Sequence, residues 1–253
     1  MCEGQSLISS ARDDFEAPDR SFIGHRDILT RSLARYKFVA PLLRGVTLEI
    51  GCGRGYGFEV IQDSRIAPVG LDISLRFLAD VRKRFSAIPL VNGSGTLLPF
   101  ADHSFDAIIS FEVIEHADDD VTFLTEIRRV ARPDAPIAIS TPNRLVASGD
   151  AERPLDLFHV REYTSGQFQE LLGRVFSSVS MFSQHEPAQD AGLVGRGTNR
   201  LVNRVPVRWK YLVPDYVQGL LSVLLRPPLR LHDCRFETGA LESAHTFVAL
   251  CHL

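Results

Sequence analysis

The sequence predicts an α/β fold built on a doubly wound sheet, and three observations carry that prediction. Short apolar runs alternate with helical patterns from residue 46 to residue 141. A glycine cluster follows the first run, and the first two runs carry a carboxylate at their end, Glu49 and Asp72.

In chain order, residues 1–24 are polar and acidic and read as a flexible arm. From His25 to Leu43 the spacing of Ile28, Leu29, Leu33, Tyr36 and Val39 is helical, interrupted at Pro41. The run VTLEI (46–50) reads as a buried strand. The alternation then predicts a helix over about 55–63, a strand over 67–71, a helix over 74–85 and a strand over 88–91. A strand over 106–111, a helix over 119–131 and a strand over 136–141 follow. Such alternation means parallel strands with helices on both faces, and sites in such sheets lie beyond the carboxyl ends of the strands. Later, residues 163–176 read as a helix capped by Thr164 or Ser165, with strands over 177–184 and 245–251. The proline-containing stretch of about 186–240 reads as an inserted helical lid, so residues 25–253 form one domain.

Composition narrows the class. With 45% hydrophobic and 23% charged residues, the 253-residue chain has globular proportions, which excludes wholesale disorder. A net charge of −3 argues against a surface that wraps nucleic acid. The first 20 residues lack the basic and apolar regions of a signal peptide, and the apolar cluster Leu220–Leu225 is too short to cross a bilayer. Cys2, Cys52, Cys234 and Cys251 form no CxxC pair, so a reduced, cytoplasmic protein is expected.

The strongest motif is TLEIGCGRGYG (47–57), a strand that runs into Gly51, Gly53 and Gly55. Glycines let the backbone turn tightly and let a ligand approach without a Cβ in the way. The dinucleotide fingerprint GxGxxG fails: from Gly51 its third glycine falls on Tyr56, and from Gly53 on Phe58. No GKS or GKT follows, so a P-loop fails too. Seventeen residues after Gly55, Asp72 offers a carboxylate that can accept both hydroxyls of a ribose. VNGSGTLLPF (91–100), SFDAIISFEVIEH (104–116) and LTEIRRVARPDAPIAISTPN (124–143) follow in order.

With these four motifs the chain resembles the class I S-adenosylmethionine-dependent methyltransferases, in the subgroup with EVIEH after the fourth strand and TPN after the fifth. It is similar there to ubiquinone-biosynthesis-type O-methyltransferases and to small-RNA 2′-O-methyltransferases. The resemblance implies a seven-stranded, Rossmann-like mixed sheet. It implies that Glu49, Gly51, Cys52, Gly53 and Gly55 cradle the methionine part of S-adenosylmethionine, that Asp72 takes the ribose hydroxyls and that Ile73 packs on the adenine. Ser94 and Gly95 would meet the adenine edge, the Phe111 backbone its amino group, and Tyr36 the methionine end. Ser94 stands where the family often has aspartate, and Asp134-Ala135 stand where it has a glycine pair.

His116 is the leading candidate to take a proton from a hydroxyl acceptor. Glu112, Glu115 and His116 share a face if the segment is helical. With His159 they make a candidate set for a divalent cation such as Mg2+, the alternative being carboxylates that pack or cap and a histidine that lines the pocket.

Within the lid, residues 196–230 hold Arg196, Arg200, Arg204, Arg208, Lys210, Arg226 and Arg230 against Asp215 alone, with Trp209, Tyr211 and Tyr216 interleaved. This patch suits an anionic acceptor or peripheral membrane contact, or is a solvated face. The expected activity is O-methylation of a small-molecule, quinone-precursor, sugar-type or carrier-linked acceptor, with nucleic acid not the expected partner. The alternatives are an RNA 2′-O-methyltransferase and a cofactor-binding protein without turnover.

Overall fold

The strands sort their residues onto two faces by simple alternation, and helices cover both. The structure, a computed structural model, describes residues 26–61, 63, 65–185 and 230–253. The arm at 1–24 and most of the expected lid, residues 186–229, lie outside the described residues, as do all the basic residues of the 196–230 patch except Arg230.

Eight strands form one sheet: β1 (Gly45–Ile50), β2 (Ile66–Asp72), β3 (Leu90–Asn92), β4 (Ala107–Phe111), β5 (Ile137–Pro142), β6 (Ser178–His185), β7 (Arg235–Glu237) and β8 (Thr246–His252). Their order is β3-β2-β1-β4-β5-β8-β6-β7. The first five are parallel to one another, whereas β8 runs antiparallel to both β5 and β6. The helices are α1 (Arg26–Val39), α2 (Leu75–Arg84), α3 (Asp120–Val130), the short α4 (Arg144–Ala147) and α5 (Ser165–Gly173).

Leu48, Ile50, Ile108, Ile137, Ile139 and Phe247 pack with α3 and α5 on one face. Ile109, Ala138 and Val248 pack with Val39 of α1 and Val81 of α2 on the other. This is the period-two pattern of strands buried on both sides. Caps fix the helix starts: Ser74 accepts from Phe77 N, and Asp119 accepts from Thr122 N. Thr164, not Ser165, caps α5 in a reciprocal box with Gln167. Pro41 ends α1 in a single 3-10 turn, Ala40–Leu42.

Three expectations are corrected. The sheet has eight strands, not seven. Arg235–Glu237, assigned to the lid by its position before 240, pairs antiparallel with β6, and Phe236 stacks on Phe38 at 4.3 Å. A three-residue strand is too short for alternation to reveal it. The expected helix at 55–63 is only a 3-10 turn, Gly57–Glu59. Gly55 sits at φ +71°, outside helical space, and the segment is held by complete burial of Phe58 and Ile61 instead. EVIEH is not one helical turn either: a 3-10 turn covers Ile114–His116, and Glu112 precedes it at φ +54°.

The topology places the site. From β1 the chain moves outward to β2 and β3, then returns to the other side of β1 at β4 and continues to β5. The crevice beyond the carboxyl ends of β1 and β4 is therefore the switch point, where open α/β sheets bind ligands.

Candidate active site

The glycine loop leaves β1 at this switch point. Gly51 has φ +72°, and a Cβ there would stand 2.4 Å from Val113 Cγ2, so no other residue fits without displacement. The Gly51 and Cys52 amides both donate to the Leu71 carbonyl, at 2.8 and 3.0 Å, which ties the loop to the end of β2. Gly53 N donates to Asp72 Oδ2 at 2.7 Å and Ser74 N to Asp72 Oδ1 at 2.8 Å. These bonds orient a buried carboxylate at the strand end. Cys52 contributes backbone only: its thiol is buried against Gly70, and burial pushes its pKa far up.

Beneath the loop, Glu49 is almost fully buried. The Tyr36 hydroxyl donates to its Oε1, and Oε2 is buried without a partner. Burial, opposed by the Tyr36 bond and reinforced by the Asp72 charge, pushes Glu49 up to about 8. Burial and the neighbouring Glu49 likewise raise Tyr36. The Tyr36 ring meets Phe111 edge-on at 5.0 Å, so α1 closes over the ends of β1 and β4.

At the outer side, Ile73 is 76% exposed and Leu97 77% exposed. The Asn92 side chain bonds the Ile73 carbonyl, and Gly93 N bonds the Asp72 carbonyl, which ties the start of this loop to the end of β2. Ser94 Oγ lies 2.9 Å from Thr96 Oγ1. A Cβ at Gly95 would lie 2.4 Å from Phe123 Cε2, so this glycine admits the close approach of α3.

On the other side of the switch point, the Ser140 hydroxyl donates to Glu112 Oε1 at 2.8 Å. Glu115 is fully buried; Thr141 Oγ1 donates to Oε2 at 3.1 Å, and Oε1 has no partner. Burial first, then the Glu112 charge, raises the Glu115 pKa well above its ordinary value. The Glu115 carbonyl accepts from Val160 N and Arg161 N, which docks the loop that carries His159. The two imidazoles meet edge-on, 5.0 Å apart.

Each imidazole is oriented through Nδ1. His116 Nδ1 lies 3.0 Å from the Phe158 carbonyl, an acceptor, so Nδ1 carries the proton and Nε2 the lone pair. His159 Nδ1 lies 2.8 Å from Glu162 Oε1, which sets the same tautomer. Burial lowers the His159 pKa, but Glu162, Asp156 and Glu112 outweigh it, and the net shift is upward. Ligand atoms of Glu115, His116 and His159 lie within 4.8 Å of one another; Glu112 is not part of this group.

Glu162 was not singled out from the sequence, although its spacing of three from His159 in FHVREYT was a usable signal. A cleft of about 290 Å³, lined by Asp120, Arg161, Glu162, Tyr163 and Leu171 among others, shares Glu162 with this cluster.

Over residues 48–139 the chain matches the family model described as a methyltransferase domain. It is 40% identical over 125 residues to a probable S-adenosylmethionine-dependent methyltransferase of Mycolicibacterium smegmatis, covering 49% of each chain. It is 34% identical over 139 residues to a demethylmenaquinone methyltransferase of Corynebacterium kroppenstedtii, covering 54% of this chain and 59% of that one. The matched segment thus spans about half the length of these curated relatives. In fold, the chain is similar to a SAM-dependent methyltransferase of Thermotoga maritima, with a TM-score of 0.60 at 17% identity over 89% of this chain and 92% of that one.

Proposed function

We propose that the chain, whose residues 48–139 match a methyltransferase-domain model, is a class I S-adenosylmethionine-dependent methyltransferase that transfers a methyl group to a hydroxyl oxygen of a small or carrier-linked acceptor. The residues at the glycine loop suit that cofactor. Glu49 Oε2 is a buried polar atom without a partner, Asp72 presents a buried, oriented carboxylate at the end of β2, and exposed Ile73 follows it as an apolar face. When bound, the cofactor supplies an activated methyl on a sulfonium. The backbone of Gly51–Gly55, with Glu49 and Asp72, would hold it, and Tyr36 and Phe111 would close the site from water.

A hydroxyl acceptor must lose its proton. The observation that carries this reading is the pair His116 and His159, each fixed through Nδ1 so that Nε2 is the basic atom. Glu162 stabilises the imidazolium that forms on His159.

A second reading has its own support, because Glu115 Oε1 is buried without a partner beside these two imidazoles. One carboxylate and two imidazoles suit a borderline ion such as Mn2+, Fe2+ or Zn2+ better than Mg2+, which prefers oxygen ligands. Such an ion would favour the ionised form of an acceptor oxygen.

We place the reaction in the cytoplasm. In support, Cys52, Cys234 and Cys251 form no disulfide among the described residues, which suits a reducing compartment. The decisive experiment incubates the chain with methyl-labelled S-adenosylmethionine and fractionated cell extract, with and without chelator. Alkali-stable label on a hydroxylated small molecule is expected. Label in RNA, or cofactor binding without any label transfer, overturns the reading, and loss of label on chelation selects the metal form.

A further inference from the structure

Both imidazoles of the candidate site depend on one irregular segment. Residues 148–164, all of them described, join α4 to α5 with no helix and no strand, apart from a single bridge between Tyr163 and Asn143. This segment carries His159, and its Phe158 carbonyl is the acceptor for His116 Nδ1 at 3.0 Å. An Asx turn holds Phe158 in turn, since its amide donates to Asp156 Oδ1 at 2.9 Å. Where the segment sits therefore decides how both rings are oriented.

Its seat is the stretch that leaves His116 and enters α3. Val160 N and Arg161 N donate to the Glu115 carbonyl, at 2.9 and 3.3 Å. The Arg161 fork then reaches across the same stretch: Nη1 donates to Asp120 Oδ2 and Nη2 to the Asp118 carbonyl, each at 2.6 Å. The Tyr163 hydroxyl donates to the same Asp120 oxygen at 3.0 Å, and the Tyr163 carbonyl accepts from Arg144 N at the end of β5. One side chain thus bridges the two chain segments that carry the two rings.

A gain in stability does not account for this arrangement. The Arg161 and Asp120 side chains are 35% and 14% exposed, and an ion pair that solvent reaches contributes little. What the fork supplies is direction. Two donors in one plane, on two fixed acceptors, leave the segment a single seat.

We propose that Arg161 is a positioning residue: by clasping the entry to α3 it docks residues 156–163, and so holds both His116 and His159 with Nδ1 protonated and Nε2 basic. The use of these rings as proton acceptors rests on the methyltransferase reading above; the docking does not.

The test labels the ring nitrogens of every histidine in the full chain and records their NMR signals, with chelator present and at a pH where both rings are neutral. His116→Gln and His159→Gln identify the two sets of signals. In the wild type both rings should show a protonated Nδ1 and a bare Nε2. Arg161→Gln should move both to the averaged signals of an unconstrained imidazole, and Arg161→Lys, which keeps the charge but not the fork, should recover them in part. Asp120→Asn loosens the clasp from the other side and should shift the same two rings. Arg174→Gln, which removes an exposed ion pair with Glu170 at the end of α5, should shift neither.

S-adenosylhomocysteine affinity should change less than about twofold in the Arg161 and Asp120 variants, whose sites are separate from the glycine loop. Methyl transfer into the labelled extract fraction should fall at least about tenfold in Arg161→Gln, as misplaced reacting groups demand. Unmoved signals in Arg161→Gln, movement of one ring alone, or equal movement in Arg174→Gln overturns the proposal. So does transfer at the wild-type rate, or a wild type whose rings already give averaged signals. Failure of the wild type to bind S-adenosylhomocysteine overturns the methyltransferase reading instead, and the ring signals still decide the docking.

Discussion

The Tyr36 hydroxyl donates a hydrogen bond to Glu49 Oε1, joining the helix that closes the crevice to the strand that opens it. It is the one bond found for this carboxyl, because Oε2 has no partner. Tyr36→Phe should therefore leave a buried carboxyl with neither oxygen satisfied, at a cost of about 1–3 kcal/mol. A denaturation midpoint lowered by that amount is expected; an unchanged midpoint would mean that Glu49 is solvated from another side.

The same burial makes stability depend on pH. In the folded chain Glu49 titrates at about 8, against an ordinary 4.5. Between those values the native state holds a proton that the unfolded chain has released. The stabilisation is thus complete below about 4.5 and is lost as the pH rises through 8, with a slope of at most about 1.4 kcal/mol per pH unit. Urea unfolding of Glu49→Gln from pH 5 to 8.5 should show a shallower decline than the wild type. Part of the decline should remain, since Glu115 is raised in the same direction. Parallel curves for the two proteins would contradict the assignment.

How much of this was legible in the sequence depends on the range of the forces involved. The strands β1, β4, β5 and β8 were readable because burial on both faces demands long apolar runs. The ends of α2, α3 and α5 were readable because their caps are local. The eighth strand was not, since Arg235–Glu237 is set by Phe236 stacking on Phe38, nearly two hundred positions away. Asp72 and Glu49 stood out as carboxylates at strand ends, but the geometry of EVIEH did not. Its backbone leaves helical space at Glu112, where Ser140 on the next strand holds both the amide and the carboxyl.

Asp72 carries the loop geometry as well as a ligand position. Asp72→Asn keeps the size but replaces one acceptor oxygen with an NH2 group, which must face either the Gly53 or the Ser74 amide. S-adenosylhomocysteine affinity should fall by at least about tenfold, the loss of one charge-assisted bond and one misaligned donor. Calorimetric titration that finds the wild-type affinity would remove Asp72 from the cofactor site.

Gly95 should behave differently, although the family resemblance puts it at the adenine. Its missing Cβ faces Phe123 in the core, at 2.4 Å. Gly95→Ala must displace that ring and should lower stability by about 1–3 kcal/mol through overpacking. Thermal unfolding should register the change in the absence of any ligand. If stability holds and only S-adenosylhomocysteine affinity drops, the glycine serves ligand approach instead of packing.

His159 and Glu162 give the sharpest test of the chemistry. Glu162 lies 2.8 Å from Nδ1 and is among the groups that raise the His159 pKa. A base acts when neutral, so raising its pKa moves the acid limb of the rate profile to higher pH. Glu162→Gln removes the charge that does this, and the acid limb of kcat/KM should move to lower pH. The plateau should fall by about tenfold or more, because an amide no longer stabilises the imidazolium and holds its tautomer less firmly. A profile with an unmoved limb and an unchanged plateau would show that His159 takes no proton, and would leave His116 as the base.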